Sequence, residues 1–275
     1  MFKYYLAPME DYTGPAFRKL VFQNGADLTF SEMTRVEGII RNNKPTLAKI
    51  QVFDNTPVEL QLLASNESQL EKYISNFKPF DGFKGFNLNV CCPSKNIIVA
   101  GRGGAMVKRT EKLNKLINII QKENYSVSLK ISLGLNKFEK ENKVYLKCIN
   151  ETNANYYIVQ CKYASQKSTE PNDYSILQDC VDTKKEIVAN GGIDNLNKVN
   201  KIKKIGCKGI MIGKAAIINP FIFSELKTNS KVTSNLNQKK LNDLVGEYEK
   251  LSLSYDENEK YFQNFLKVQK SKKFE

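Results

Sequence analysis

Two adjacent cysteines, Cys91 and Cys92, stand before Pro93 and a Gly-rich basic stretch in NLNVCCPSKNIIVAGRGGAMVKR, residues 87–109. A cysteine there can act as a proton donor or simply pack, and a Gly-rich loop can bring backbone N–H groups against a phosphate. The sequence has no histidine. Ser-His-Asp and Cys-His hydrolysis are therefore excluded, and acid–base work falls to Cys, Lys, Tyr, Asp or Glu. The six cysteines, at 91, 92, 148, 161, 180 and 207, contain no C-x-x-C pair. Without histidine, that spacing argues against a structural zinc site, and no metal is expected. Two further loops could hold an anion, ANGGID (189–194) and MIGKAAIINP (211–220). Gly191, Gly192 and Gly213 permit close backbone approach, Lys214 adds a charge, and a helix opening after Gly213 would aim its positive end at the same point.

These residues need elements to place them. Apolar runs read as strands at 4–8, 28–33, 58–62, 85–90, 126–131, 156–160, 186–190 and 209–213. Between them lie helical patterns. TEKLNKLINIIQKE (110–123) puts Leu113, Leu116, Ile117 and Ile120 on one face, and the 65–77 segment opens on Ser65 as a candidate N-cap, with Leu70, Tyr73, Ile74 and Phe77 inward. Eight strand–helix alternations predict an α/β fold, a (β/α)8 TIM barrel, followed by a short C-terminal helical segment. A doubly wound sheet is the second choice, and its G-x-G-x-x-G after the first strand is missing. Barrel chemistry sits at the C-terminal ends of strands, which here carry Pro8 and Met9, Glu32, Gln61, Asn89, Lys130, Gln160, Asn190 and Gly213. After residue 229 a polar linker leads into two helices over 238–273. The expected division is a catalytic barrel at 1–229 and a small helical part at 230–275.

The chain has 275 residues, 41% hydrophobic and 26% charged, with a net charge of +13. Positive charge concentrates at 100–150 and 184–214, which points toward a polyanionic partner. No basic n-region followed by an apolar h-region opens the chain, and no apolar run is long enough to span a bilayer. A cytoplasmic protein with reduced thiols and no membrane partner is expected, and a monomer is the favoured state.

Taken in order, the motifs resemble the tRNA-dihydrouridine synthases. APMEDYTGPAFR (7–18) is similar to that family's opening motif, and ELQLLASN to its Gln-containing third strand. NLNVCCPSKNIIVAGRGGAMV is similar to its N-x-G-C-P and Gly-rich loop, LKISLG to its K-x-R-x-G, and NGGI and MIGKAAIINPFIF to its closing motifs. The resemblance covers roughly residues 4–225. It implies a barrel that binds FMN, takes electrons from NADPH and reduces the C5–C6 bond of uridines in tRNA, with a C-terminal segment that contacts RNA.

By the motif, Cys92 is the proton donor, and Cys91 occupies the family's glycine position and is expected to pack. The resemblance places Asn89 on the uracil edge and Lys130 at the N1–O2 edge of the flavin. Gln61, Pro8, Met9 and Gln160 would line the flavin, and Asn190, Gly191, Gly192, Gly213 and Lys214 would hold its phosphate. Arg102 and Lys162 would meet the substrate. Departures are Gln160-Cys161-Lys162 for the family's His-x-Arg, Ser132 for the Arg of K-x-R, and Lys214 for an Arg. Two other functions fit part of the pattern: an FMN barrel acting on a small molecule, in the manner of a dihydroorotate dehydrogenase, and an RNA-binding barrel without chemistry.

Overall fold

The computed structural model describes residues 1–167, 169–229 and 238–271. Nine strands form one parallel sheet: β1 (Lys3–Leu6), β2 (Thr29–Phe30), β3 (Thr34–Arg35), β4 (Val58–Leu63), β5 (Phe83–Val90), β6 (Val127–Ser132), β7 (Tyr156–Gln160), β8 (Ile187–Asn190) and β9 (Gly209–Ile212). Their order is β1-β9-β8-β7-β6-β5-β4-β2, with β3 beside β4, and a Tyr5–Leu28 bridge joins the two ends. This is the expected (β/α)8 barrel.

Period-2 alternation explains its layers. Tyr4, Leu6, Leu60, Leu62, Phe86 and Leu88 face the surrounding helices. Tyr5, Ala7, Phe30, Tyr156, Ile158, Val188 and Met211 form a separate interior cluster. In β4, β5 and β6 the alternate positions are Glu59, Gln61, Asn87, Asn89, Ser128 and Lys130, all buried. One side of the barrel interior is thus apolar and the other polar.

The helix expected at 110–123 runs Thr110–Lys122 with Leu113, Leu116, Ile117 and Ile120 buried. The helix expected from Ser65 runs Glu67–Ser75, and its cap is Asn66, whose side chain accepts from the Gln69 amide. Leu70 and Ile74 are buried, while Tyr73 and Phe77 are half-buried against the core. The strand expected at 28–33 is shorter, with β2 covering only Thr29–Phe30. Beyond it the buried Glu32 carboxylate accepts from the Asp11 amide and the Tyr261 hydroxyl.

The two expected C-terminal helices are Gln238–Ser254 and Glu259–Ser271. The linker expected just before them falls at 230–237, outside the described residues. Tyr248 and Phe265 pack on Phe17, with ring centroids 5.8 and 5.9 Å away. Glu257 accepts from the Ala16 amide at 3.0 Å, Lys260 pairs with Asp11 at 2.7 Å, and Asn264 donates to the Asp11 carbonyl at 3.2 Å. The last helix therefore braces the first loop of the barrel mouth, residues 7–14. Among the described residues no helix is long and apolar enough to cross a membrane.

Candidate active site

Two confluent cavities open at the C-terminal ends of the strands, where the barrel was expected to do chemistry. The first, about 340 Å³, is lined by Gln61, Asn89, Cys91 and Cys92 among others. The second, about 450 Å³, is lined by Met9, Asn190, Gly191, Gly192, Gly213 and Lys214 among others. Pro8, Lys130, Gln160 and Lys162 line both.

The first cavity is organised around the end of β5. Asn89 Oδ1 accepts from the backbone N–H groups of Cys91 and Cys92 at 3.2 and 2.9 Å. That turn follows the end of β5, and both cysteines are half-buried. Burial pushes the Cys92 thiol above its ordinary range, with Cys91 and Glu10 adding to the effect and the Ser94 backbone and Lys130 opposing it. A thiol held protonated is what a proton donor requires.

The Gly-rich loop holds this turn. The Gly104 amide donates to the Cys92 carbonyl at 3.1 Å. Gly103 has φ +54°, and a Cβ there would lie 2.9 Å from Cys92 Cβ. The loop's glycines therefore let it press on the cysteine turn, a structural use that answers the question raised by its composition.

Cys91 does not behave as a packing residue. It lines the cavity, and its Sγ accepts from Lys130 Nζ at 3.3 Å.

In the second cavity, Gly191 and Gly192 have φ of +120° and +59° and pack under Asn172. A Cβ at Gly191 would lie 2.3 Å from Asn172 Oδ1, and one at Gly192 2.4 Å from Nδ2. Asn172 Oδ1 is buried without a hydrogen-bond partner. The turn is held by Tyr174, whose hydroxyl donates to the Gly191 carbonyl at 2.5 Å, and by Lys198, which donates to that of Gly192 at 2.7 Å. Asn190 Nδ2 donates to the Met211 carbonyl at 2.9 Å, tying β8 to β9. Burial lowers the Lys162 ammonium; Glu170 opposes this, and Lys214 adds to it. Three lysines, Lys130, Lys162 and Lys214, and two glycine turns thus converge on one cavity, a set suited to an anion.

The family model for dihydrouridine synthase matches residues 5–273. The chain belongs to the dihydrouridine synthase family. A Helicobacter pylori protein described as "Probable tRNA-dihydrouridine synthase" is 30% identical over 82% of this chain and 70% of its own length. The tRNA-dihydrouridine synthase B of Xanthomonas axonopodis pv. citri is 26% identical over 82% of this chain and 68% of its own length. The tRNA-dihydrouridine(20a/20b) synthase [NAD(P)+] of Saccharomyces cerevisiae is 22% identical, over 80% and 62%. Among solved structures, morphinone reductase superposes with a TM-score of 0.55 at 10% identity, over 84% of this chain and 87% of that one. That likeness concerns the fold alone.

Within this dihydrouridine synthase fold, the strand-end Glu32 lines neither cavity and turns to Asp11 and Tyr261, while all but one of the residues given a role in chemistry or binding meet at the two cavities. Arg102 is the exception: its guanidinium pairs with Glu37 and donates to Ser65 Oγ at 2.8 Å, and it lines neither cavity. Lys162 lines both cavities, with its ammonium 3.0 Å from the Lys167 carbonyl. Sequence reasoning missed Asn172, which arrives from the long loop after β7, where no motif marks it. It also missed the contact between Cys91 and Lys130.

Proposed function

We propose that this chain reduces the C5–C6 double bond of uridines in tRNA to dihydrouridine, with FMN bound in the joined cavities and NADPH as reductant. The observation that carries the reading is the placement of Cys92 at the edge of the first cavity by the Asn89 turn and the Gly103–Gly104 loop, where burial favours its protonated thiol. Bound FMN supplies the hydride for C6. Cys92 gives the proton to C5 from the opposite face of the base. Asn89 holds the uracil edge with the amide hydrogen its network leaves over, and Lys130 places positive charge where the flavin ring becomes anionic.

The residues present fit the flavin. Its ring would lie on Pro8 and Met9 beside Gln61 and Gln160, and its phosphate against Asn190, the Gly191–Gly192 turn, Gly213 and Lys214. The buried, unpartnered Asn172 Oδ1 supports a ligand hydrogen-bond donor beside it, such as a hydroxyl, since such acceptors are rarely left unpaired. In this reading Lys162, which lines both cavities, would meet the RNA, while Arg102 is held by Glu37 and Ser65 away from them.

The RNA-contacting role of the segment 230–275 belongs to the same proposal. Helices 238–271 carry six lysines against six carboxylates. Their support for RNA binding is the bracing of the mouth, while net positive charge resides in the barrel segments 100–150 and 184–214.

The test is chemical. Acid extraction of the purified protein should release FMN, and the protein with NADPH should form dihydrouridine in tRNA, read by mass spectrometry of the digested RNA. Release of FAD, or no product from tRNA lacking the modification, overturns the proposal.

A further inference from the structure

A single directed chain of hydrogen bonds runs down the polar side of the barrel interior. Asn89 Nδ2 donates to Gln61 Oε1 at 2.9 Å, and Gln61 Nε2 donates to Asn87 Oδ1 at 2.7 Å. Asn87 Nδ2 donates to Ser128 Oγ at 2.7 Å, and Ser128 donates to Glu59 Oε2 at 2.6 Å. Tyr156 closes the lower end by donating to Glu59 Oε1 at 2.7 Å. Every member is buried, and Glu59 is 2% exposed.

The direction is fixed at both ends. At the top, two backbone N–H groups require Asn89 to present its oxygen to the cysteine turn. Its nitrogen must then face Gln61, and each amide below is set in turn. At the bottom, only an acceptor can receive the Ser128 hydroxyl hydrogen once Ser128 Oγ has accepted from Asn87. An amide has two nearly isosteric orientations; the backbone N–H groups at the top select one, and the Glu59 acceptor at the bottom stabilises the same one by taking the Ser128 hydrogen, so that Ser128 Oγ can accept from Asn87.

We propose that Glu59 is a positioning residue: as the terminal acceptor of this chain, it fixes the side-chain amides of Gln61 and Asn89 with one N–H each left to point into the first cavity. The ligand class those spare donors select is a ring that offers carbonyl oxygens rather than amino groups. This rests on the activity proposed above for the identity of the rings, while the orientation of the amides stands on the geometry alone. Burial pushes the Glu59 carboxyl up to about 8, against the hydrogen bonds from Ser128 and Tyr156. The neutral acid can hold its proton on Oε1, toward Tyr156, and still accept from Ser128 on Oε2, so the direction survives either charge state.

Glu59→Met removes the acceptor at similar volume, Asn87→Leu cuts the chain midway, and Glu59→Gln keeps an oxygen for Ser128. Thermal melting first confirms that each variant folds. For Glu59→Met and Asn87→Leu we expect a roughly ten- to hundredfold fall in kcat/KM for tRNA, the loss of one or two well-made hydrogen bonds. The fall should appear mainly as raised KM and weakened flavin binding, with reduction of bound flavin by NADPH unchanged. Glu59→Gln should restore activity to within about threefold.

A second readout is independent of activity: side-chain amide NMR of Asn89 and Gln61. These signals should shift and exchange faster with solvent in Glu59→Met and stay near wild type in Glu59→Gln. Folded Glu59→Met and Asn87→Leu proteins with wild-type kcat/KM and unchanged amide signals overturn the proposal. So does an equal loss in Glu59→Gln and Glu59→Met, which would make charge rather than acceptor direction the operative property. If the wild type itself fails to reduce uridine, the activity reading is lost, and the amide signals still decide the positioning role.

Discussion

Replacing Cys92 by alanine separates the proton donor from its neighbour. An unperturbed thiol, with a pKa of about 8.5, is only about 3% ionised at pH 7. Burial moves Cys92 further toward the thiol form. Nearly the whole population is thus competent to donate, and the wild-type rate of the RNA step should be flat between pH 6 and pH 8. Loss of a positioned general acid costs about 10²- to 10⁴-fold. Cys92→Ala should therefore bind flavin, accept electrons from NADPH at the wild-type rate, and fail by that factor when reduced flavin is reoxidised by tRNA in a single turnover. Cys91→Ala removes a sulfur that accepts from Lys130 at 3.3 Å and donates weakly to Asn89 Oδ1 at 3.8 Å, a loss of about 1 kcal/mol, or roughly fivefold. Stopped-flow absorbance of the flavin measures both. If Cys92→Ala reoxidises normally while Cys91→Ala does not, the wrong sulfur has been assigned. If both match wild type, no cysteine acid operates.

Gly191→Ala should destabilise by about 1–3 kcal/mol and weaken flavin binding. It forces an L side chain to φ +120° with its Cβ 2.3 Å from Asn172 Oδ1, and melting and flavin titration report the two effects. Burial raises the Glu32 carboxyl to about 7, with Glu10 adding to the rise, and with Tyr261, Lys49 and the Asp11 amide opposing it. The folded state then holds that proton more tightly than the unfolded one. The contribution is full below the unfolded value near 4.5 and is lost as pH climbs to about 7, a fall of about 3 kcal/mol. Urea titrations at pH 5 and pH 8 should show it, and Glu32→Gln should flatten it. Affinity for tRNA should fall steeply between low and physiological salt as phosphate contacts release counterions; a flat response in a binding titration would favour a small-molecule substrate.

The strands were legible because each is a short apolar run ending in a polar residue, and Gln61, Asn89 and Lys130 stand at or beside those ends with their side chains inward. The second strand was read too long because nothing local says that Glu32 will turn inward to meet Tyr261, a partner 229 residues away. Ser65 looked like the better cap, yet Asn66 takes that role, since Ser65 Oγ accepts from Arg102. Cys91 was read as packing because it stands at the family's glycine position, and nothing local says that its sulfur will meet Lys130 from the neighbouring strand. Glu59 sits in VELQL as one acid in an apolar run, and only the assembled barrel brings Ser128 and Tyr156 to it. Asn172 had no sequence signal: its role depends on the approach of a long loop to two glycines from another strand.

The bracing of the mouth by the last helix also has a consequence in time. Lys260 and Asp11 are 249 residues apart, so during synthesis the loop bearing Pro8 and Met9 leaves the ribosome long before the residues that pin it. The barrel walls from β2 to β9 can form from neighbouring strand pairs as the chain emerges, because each of these strands pairs with one made shortly before or after it, while β1 waits for β9. The mouth must wait. A nascent chain stalled before residue 257 would hold most of its strands and cavity walls while its first loop remained unpinned, and ligand competence would arrive as one of the final events of folding.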